Sequence, residues 1–229
     1  ILCRQEYVKH PYYIDVLGIY IHSSQELCYV IYNHPLLVLD HFVDELLLGF
    51  IRRDLGMDCL AGRMEKLIET GSRPEDVLLL LLSECDYYSE KEIQKFKAAV
   101  SAIRSLHPAQ YDKELADYLF NQRQFGKAAG RYEKALEYPR DRYVDDAFFE
   151  AVYNNLGASY AMMFRFHKAL QAYDKAYELK KSPDVLKRIY FLTMFAPELE
   201  VRERYGSLFT QELEAQWRHE ADTAALEAG

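Results

Sequence analysis

The side chains best suited to chemistry in this 229-residue chain are scattered rather than gathered. The densest cluster is His34, Asp40, His41, Asp44 and Glu45. His41, Asp44 and Glu45 would share one helical face, because residues three and four apart are neighbours on a helix. Imidazole and carboxylate groups so placed could hold a divalent ion. The same residues also suit a helix start, with Asp40 as the cap and Asp44 and Glu45 at the positive end of the dipole, a reading that needs no ligand. Gly126-Lys127 lacks the hydroxyl residue of a phosphate loop, and Asn121 stands where the loop's first Gly belongs. His219-Glu220 begins like a zinc-protease helix, but no second His follows one turn on. There is no Gly-x-Ser-x-Gly elbow, no dinucleotide Gly-x-Gly-x-x-Gly and no calcium loop. His10, His22, His107 and His167 stand alone. The expectation is a chain with no catalytic residue, no metal and no cofactor.

Composition narrows the classes further. Half of the residues are hydrophobic and 28% are charged, as in an ordinary globular chain. With 36 acidic against 28 basic side chains the formal charge is -8, which disfavours nucleic acid as a partner. The longest aliphatic run, 77–82, falls far short of the ~20 apolar residues that span a bilayer, so no membrane role is expected and a buried central helix is. Arg4, Glu6, Lys9 and His10 interrupt any apolar leader near Ile1. Cys3, Cys28, Cys59 and Cys85 form no Cys-x-x-Cys pair, the usage of a reducing compartment, and the cytoplasm is the expected location. The unusual feature is aromatic: 19 Tyr and 12 Phe beside a single Trp. Tyr fills interhelical gaps, and it also serves interfaces by offering a rigid surface with a polar tip.

Gly and Pro are scarce and fall at boundaries. Ser23 with Glu26, Ser72 with Glu75 and Ser89 with Glu92 fit the capping box, while Ser182-Pro183 reads as a cap followed by proline at the first helical position. Gly56 and Gly71 read as C-terminal glycines, and Pro108, Pro139 and Pro197 as breaks. Between these marks the apolar residues recur at helical spacing. Helices are expected at 24–33, 41–54, 58–70, 73–86, 90–106 and 109–122. Others are expected at 125–138, 145–163, 166–180, 184–195 and 198–225. Residues 12–22, rich in β-branched and aromatic side chains, suit a short strand or extended segment as well as a helix. The fold class is all-α.

Two segments repeat. Leu115-Ala116-Asp117-Tyr118-Leu119 is followed by Ala128, Tyr132 and Ala135; Leu156-Gly157-Ala158-Ser159-Tyr160 is followed by Ala169, Tyr173 and Ala176, at the same spacings. Small residues at these points let two helices of a hairpin approach closely, and the aromatics plug the gap to the next pair. One hairpin cannot bury its own apolar face, so such units must stack.

This pattern resembles the tetratricopeptide repeat family over about 109–195. Tyr153, Leu156, Gly157, Tyr160, Ala169, Tyr173 and Ala176 all match the family's pattern, with Pro183 near its expected end. In the first unit Leu119 replaces a Tyr, and Asp112 stands where a large apolar residue is usual. The separation of the units exceeds the family's 34 or so residues, and the excess falls in an insertion at 139–146. A third, degenerate unit starts at Ser182, and the long helix after Pro197 would pair with it as a polar cap. The expected architecture is thus an N-terminal helical domain, 1–107, which matches no family we recognise, and a repeat domain, 108–229.

The resemblance implies a concave groove, lined by the first helix of each unit, that binds a protein or peptide segment. Its groove-facing phase would show Lys113, Asp117, Phe120 and Asn121, then Asn154, Ala158, Ala161 and Met162, then Arg188. One subclass of the family grips a terminal carboxylate with Lys and Asn. Lys113 and Asn155 fall at such positions here, but Asp117 replaces an Asn, and Val185 and Ile189 fall where basic residues belong, so that function is not expected. The expected function is a non-enzymatic binding scaffold or adaptor of unknown oligomeric state. The alternatives are a regulator or sensor whose N-terminal half recognises a ligand or partner, and an enzyme with a site between the halves.

Overall fold

The computed structural model describes residues 8–39 and 42–228; Cys3, Asp40 and His41 lie outside them. The protein is all-α helical hairpins with one small β-ribbon, and it divides into two compact units, Ile1–His107 and Pro108–Gly229.

In the first unit, β-branched and aromatic residues favour extended backbone. They form the ribbon β1 (Tyr12–Ile14) and β2 (Ile19–Ile21), antiparallel with Tyr13 opposite Tyr20. Gly18, at φ +66°, provides the left-handed residue of the turn. Ile14 and Ile21 are buried, Tyr12 packs on Phe50, and Tyr13 and Tyr20 pair on the exposed face with ring centres 4.8 Å apart. Then come α1 (Ser24–Asn33), α2 (Pro35–Val38) and α3 (Glu45–Gly49), which runs on as a π-helical turn, Phe50–Asp54. The unit closes with α4 (Asp58–Glu69), α5 (Pro74–Glu84) and α6 (Glu90–Arg104). Leu27, Ile31, Leu47, Ile51, Met64, Leu78 and Leu82 are among its fully buried core. Cys28, Cys59 and Cys85 are free thiols, and Cys28 and Cys85 share a hydrogen bond although far apart in sequence.

The caps correct the sequence reading in three places. The helix expected from 41 starts at Glu45, because Asp44 accepts the Leu47 N–H at 2.8 Å; Asp44, not Asp40, is its cap. Ser23 caps α1, but Glu26 reaches back to the His22 N–H, one residue beyond the expected partner. Ser72 caps nothing. α5 starts at Pro74, and Glu75 turns inward, 4% exposed, to meet Arg104 at 3.0 Å and Arg73 at 3.4 Å. Ser89 and Glu92 do bond, the Ser89 N–H and hydroxyl both donating to the carboxylate. Gly56 and Gly71 hold φ of +67° and +74° after their helices.

The second unit contains α7 (Pro108–Asn121), α8 (Phe125–Ala135), α9 (Asp146–Met162), α10 (Phe166–Leu179) and α11 (Pro183–Phe195). α7 packs with α8 and α9 with α10 as hairpins, and these stack in order up to α11. Ala116, Ala128, Ala135, Ala169 and Ala176 are fully buried where the helices approach. Gly157 is the tightest point: a Cβ there would stand 2.5 Å from the Tyr173 ring. The insertion is a turn in which Asp141 accepts the Tyr143 and Val144 N–H groups, and Asp145 then caps α9.

The single helix expected at 198–225 is broken. Glu200 turns left-handed at φ +53°, and a short α12 (Val201–Tyr205) ends in a 3-10 turn. α13 (Gln211–Ala228) starts afresh after Thr210, whose hydroxyl accepts the Leu213 N–H. α13 covers α11 through Trp217, whose ring lies 5.2 Å from Tyr190 and 6.2 Å from Phe209, and through the Lys187–Glu220 pair. Among the described residues no helix is long and apolar enough to cross a membrane.

Candidate functional site

Helices α7, α9 and α11 contribute most of the lining of a cavity of about 320 Å3 in the repeat unit. Asp117, Phe120 and Asn121 come from α7, Tyr132 from α8, Asn155 and Ala158 from α9, and Arg188 from α11. The helical period places 117, 120 and 121 on one face, and 155 and 158 on another.

Asp117 is the centre of its polar network. Lys113 Nζ donates to one carboxylate oxygen at 2.6 Å, while Asn155 Nδ2, at 2.9 Å, and the Tyr132 hydroxyl donate to the other. Burial, reinforced by the bond to Asp117, pushes the Tyr132 hydroxyl far above its ordinary range. Tyr173 is raised by burial too, with the neighbouring Arg188 guanidinium opposing the shift. Arg188 carries no ion pair among the described residues. The cavity therefore offers an exposed guanidinium that also bonds the Tyr173 hydroxyl, amide groups on Asn121 and Asn155, and the Phe120 ring. Such a surface can pair with peptide backbone and with one acidic or carbonyl group. Its lining holds no His, Cys or Ser to act as nucleophile or proton carrier.

Of the residues expected to face the groove, Asp117, Phe120, Asn121, Asn155 and Arg188 line this cavity, together with Ala158. Lys113 stands behind Asp117 as its ion-pair partner. Asn154 does not line it: its Nδ2 donates to Asn155 Oδ1 at 3.3 Å, and its own carbonyl oxygen is buried without a partner. Met162 is exposed outside it. Val185 and Ile189, at the positions where the clamp subclass carries basic residues, are buried, and α11 presents Arg188 to the cavity, as the groove-facing phase expected. Repeat spacing assigns Tyr132 to packing alone; its hydroxyl joins the site because Asp117 stands within its reach.

A second cavity, about 350 Å3, lies in the first unit beside the π turn and is lined by Glu45, Leu48, Gly49, Arg52, Arg53 and Glu65. Arg52 is held by Glu65 at 2.5 Å, and Arg53 Nε donates to the Gly49 carbonyl at 3.4 Å. Among the described residues no three His, Cys, Asp or Glu converge as metal ligands. Of the cluster noted at 34–45, Asp44 is engaged as a cap, and burial lowers the His34 pKa.

No family model and no solved structure matches the chain. Among curated proteins it is similar to an Hsp70-Hsp90 organising protein of Plasmodium falciparum, 33% identical over 73 residues. That stretch is 32% of this chain and 26% of the relative, so the likeness spans about a quarter of the other protein's length.

Proposed function

We propose that the chain is a non-enzymatic protein-binding adaptor of the tetratricopeptide type, acting in the cytoplasm, whose repeat groove holds an extended partner segment. The observation that carries this is the cavity framed by the first helices of successive hairpins, with the exposed Arg188 beside the Asn121 and Asn155 amides. The likeness to a protein named for organising two others supports it. Asp117 enters as a scaffold, its charge met by Lys113, so it orients Asn155 and Tyr132 and leaves Arg188 to meet the ligand. The test is affinity capture from the source cell with wild type beside the double variant Asn155→Ala/Arg188→Ala. Partners recovered with wild type and lost with the variant are expected. Equal recovery with both removes the groove.

A second reading, a regulator whose N-terminal unit senses a ligand, is favoured by the π turn beside the Arg52–Arg53 cavity, since such turns concentrate at functional sites. It predicts that partner capture persists in the groove variant and fails in Arg53→Ala.

A further inference from the structure

The turns that join the two helices of each hairpin carry a surface that lies outside the groove except at Phe120, which lines both. Phe120 and Phe125 meet edge to face across the first turn, with ring centres 5.2 Å apart. Gly126, next to them, faces Met163 Sδ of the second turn. There Phe164 meets Phe166 edge to face at 6.0 Å, and Phe166 stacks on Phe195, at the end of α11, at 6.2 Å. Phe164 is 79% exposed and Phe195 68%, with Met162 and Met194 exposed beside them in sequence. Apolar side chains continuous in this way mark an interaction surface rather than chance exposure.

Phe164 is displayed at a cost. Both turns close the same way: the Gln124 N–H reaches Leu119 O, and the Arg165 N–H reaches Tyr160 O, each at 2.9 Å. This is the six-to-one bond of a left-handed helix stop, whose left-handed residue is usually Gly. Here it is Arg123, at φ +57°, and Phe164, at φ +58°. A bulky side chain in that region is strained, and a ring mostly in water returns little packing energy for the strain.

Charge says what the surface suits. In a chain of formal charge -8, residues 118–132, 151–173 and 185–197 contain no Asp or Glu at all. The turns instead carry Arg123, Lys127, Arg165, His167 and Lys168, all exposed. Arg123 and Arg165 have no ion pair among the described residues. A cationic rim around exposed Phe and Met complements a partner with carboxylates and apolar side chains together.

We propose that this turn edge is a docking surface for an acidic, amphipathic peptide segment, separate from the groove, with Phe164 as its anchor. The probe is a fluorescein-labelled peptide alternating Glu with Leu and Phe, titrated against the full chain by anisotropy. Binding should weaken about tenfold in Phe164→Gly and in Arg165→Glu/Lys168→Glu, and should fall as salt is raised. It should be unchanged in Asn155→Ala/Arg188→Ala, which separates it from the groove reading. Phe164→Gly should at the same time raise Tm, because the strain goes and little packing is lost. A Lys-for-Glu version of the peptide should not bind. The proposal is overturned by no binding of the acidic peptide, by equal binding of the basic one, or by loss of binding in the groove variant. A lowered Tm in Phe164→Gly also overturns it, because the ring would then serve the fold. Binding to phosphatidylserine vesicles alone would replace the peptide with a membrane, and light scattering that shows Phe164-dependent self-association alone would replace it with a second copy.

Discussion

The hairpins α7–α8 and α9–α10 superpose position for position in sequence, and they are filled by opposite chemistry. In the second, Gly157 lets the Tyr173 ring lie where a Cβ would be, and Val152 and Tyr160 are buried, with the Tyr160 hydroxyl donating to Glu133 of α8. In the first, Ala116 stands in place of Gly157, and the position matching Tyr153 is Asp112. Asp112 is 1% exposed and is ringed by Arg131 at 2.9 Å, Lys134 at 3.0 Å and the Tyr138 hydroxyl at 3.0 Å. One scaffold thus tolerates either a tight aromatic seam or a buried charge, provided that the charge is fully partnered. The lesson is that the repeat fixes where helices approach, while neighbours fix what can stand there.

The widest separation between the two solutions should come from Asp112→Ala. Removing one member of a buried ionic group typically costs 3–5 kcal/mol. Arg131 and Lys134 are a third and a half exposed and can turn to water, so the expected loss is about 3 kcal/mol, near the low end of that range. Trp217, the only Trp, is buried in this unit and reports its urea unfolding directly. Asp112→Leu, which restores the apolar character expected there, should cost less than Asp112→Ala. If the two variants unfold alike, the ion cluster is ornamental and the contrast between hairpins collapses.

Next in size is Gly157→Ala, expected to cost about 2 kcal/mol, the overpacking penalty less the helix preference of Ala. Tyr173→Leu in the same chain should recover part of it, because the clash is with the ring. The matching change in the first hairpin, Ala116→Gly, relieves no clash and should show only the helix penalty of Gly, about 1 kcal/mol. Equal costs for Gly157→Ala and its Tyr173→Leu double variant would show that the ring is not what the glycine admits.

Features held by nearest neighbours are legible in the amino-acid order itself: the Ser89–Glu92 cap, the left-handed Gly56 and Gly71, the small residues at 116, 128, 157 and 169. What escapes such a reading is decided across the fold. Glu75 looks like a cap partner of Ser72 until Arg104, on another helix, draws it inward. The π turn at 50–54 leaves no mark in hydrophobic periodicity, since Phe50 and Ile51 are buried either way. The break at Glu200 involves neither Gly nor Asn and so carries no local signal. At the groove, the first-helix phase leads to Asp117, Asn121, Asn155 and Arg188, whereas Tyr132 reaches the cavity through its hydroxyl, which repeat spacing assigns only to packing.

Relieving the left-handed turns should give a smaller change of opposite sign. Phe164→Gly and Arg123→Gly should each stabilise by about 1 kcal/mol, the steric penalty less the entropy of Gly. Arg123 and Phe164 hold nearly the same left-handed φ, +57° and +58°, so matching gains at the two positions are expected in the same urea titration. A gain at one turn alone would mean that the hairpins differ in backbone as well as in filling.

The subtlest difference between the hairpins is silent at neutral pH and appears only in alkali. Tyr132 donates to Asp117, and burial with that bond raises its pKa well above the ordinary 10.0; Tyr173 is raised by burial, but its hydroxyl faces the Arg188 cation. A phenol raised in the folded state contributes stability that is intact below pH 10 and lost as pH climbs past it, because the unfolded chain ionises first. The repeat unit should therefore weaken above pH 10. Tyr132→Phe should flatten that decline more than Tyr173→Phe, since ionised Tyr132 would confront a carboxylate and ionised Tyr173 a guanidinium. Urea midpoints of the three proteins measured between neutral and strongly alkaline pH decide it. Equal flattening would place the alkaline weakness in burial alone and remove the carboxylate network as a distinguishing feature of the first hairpin.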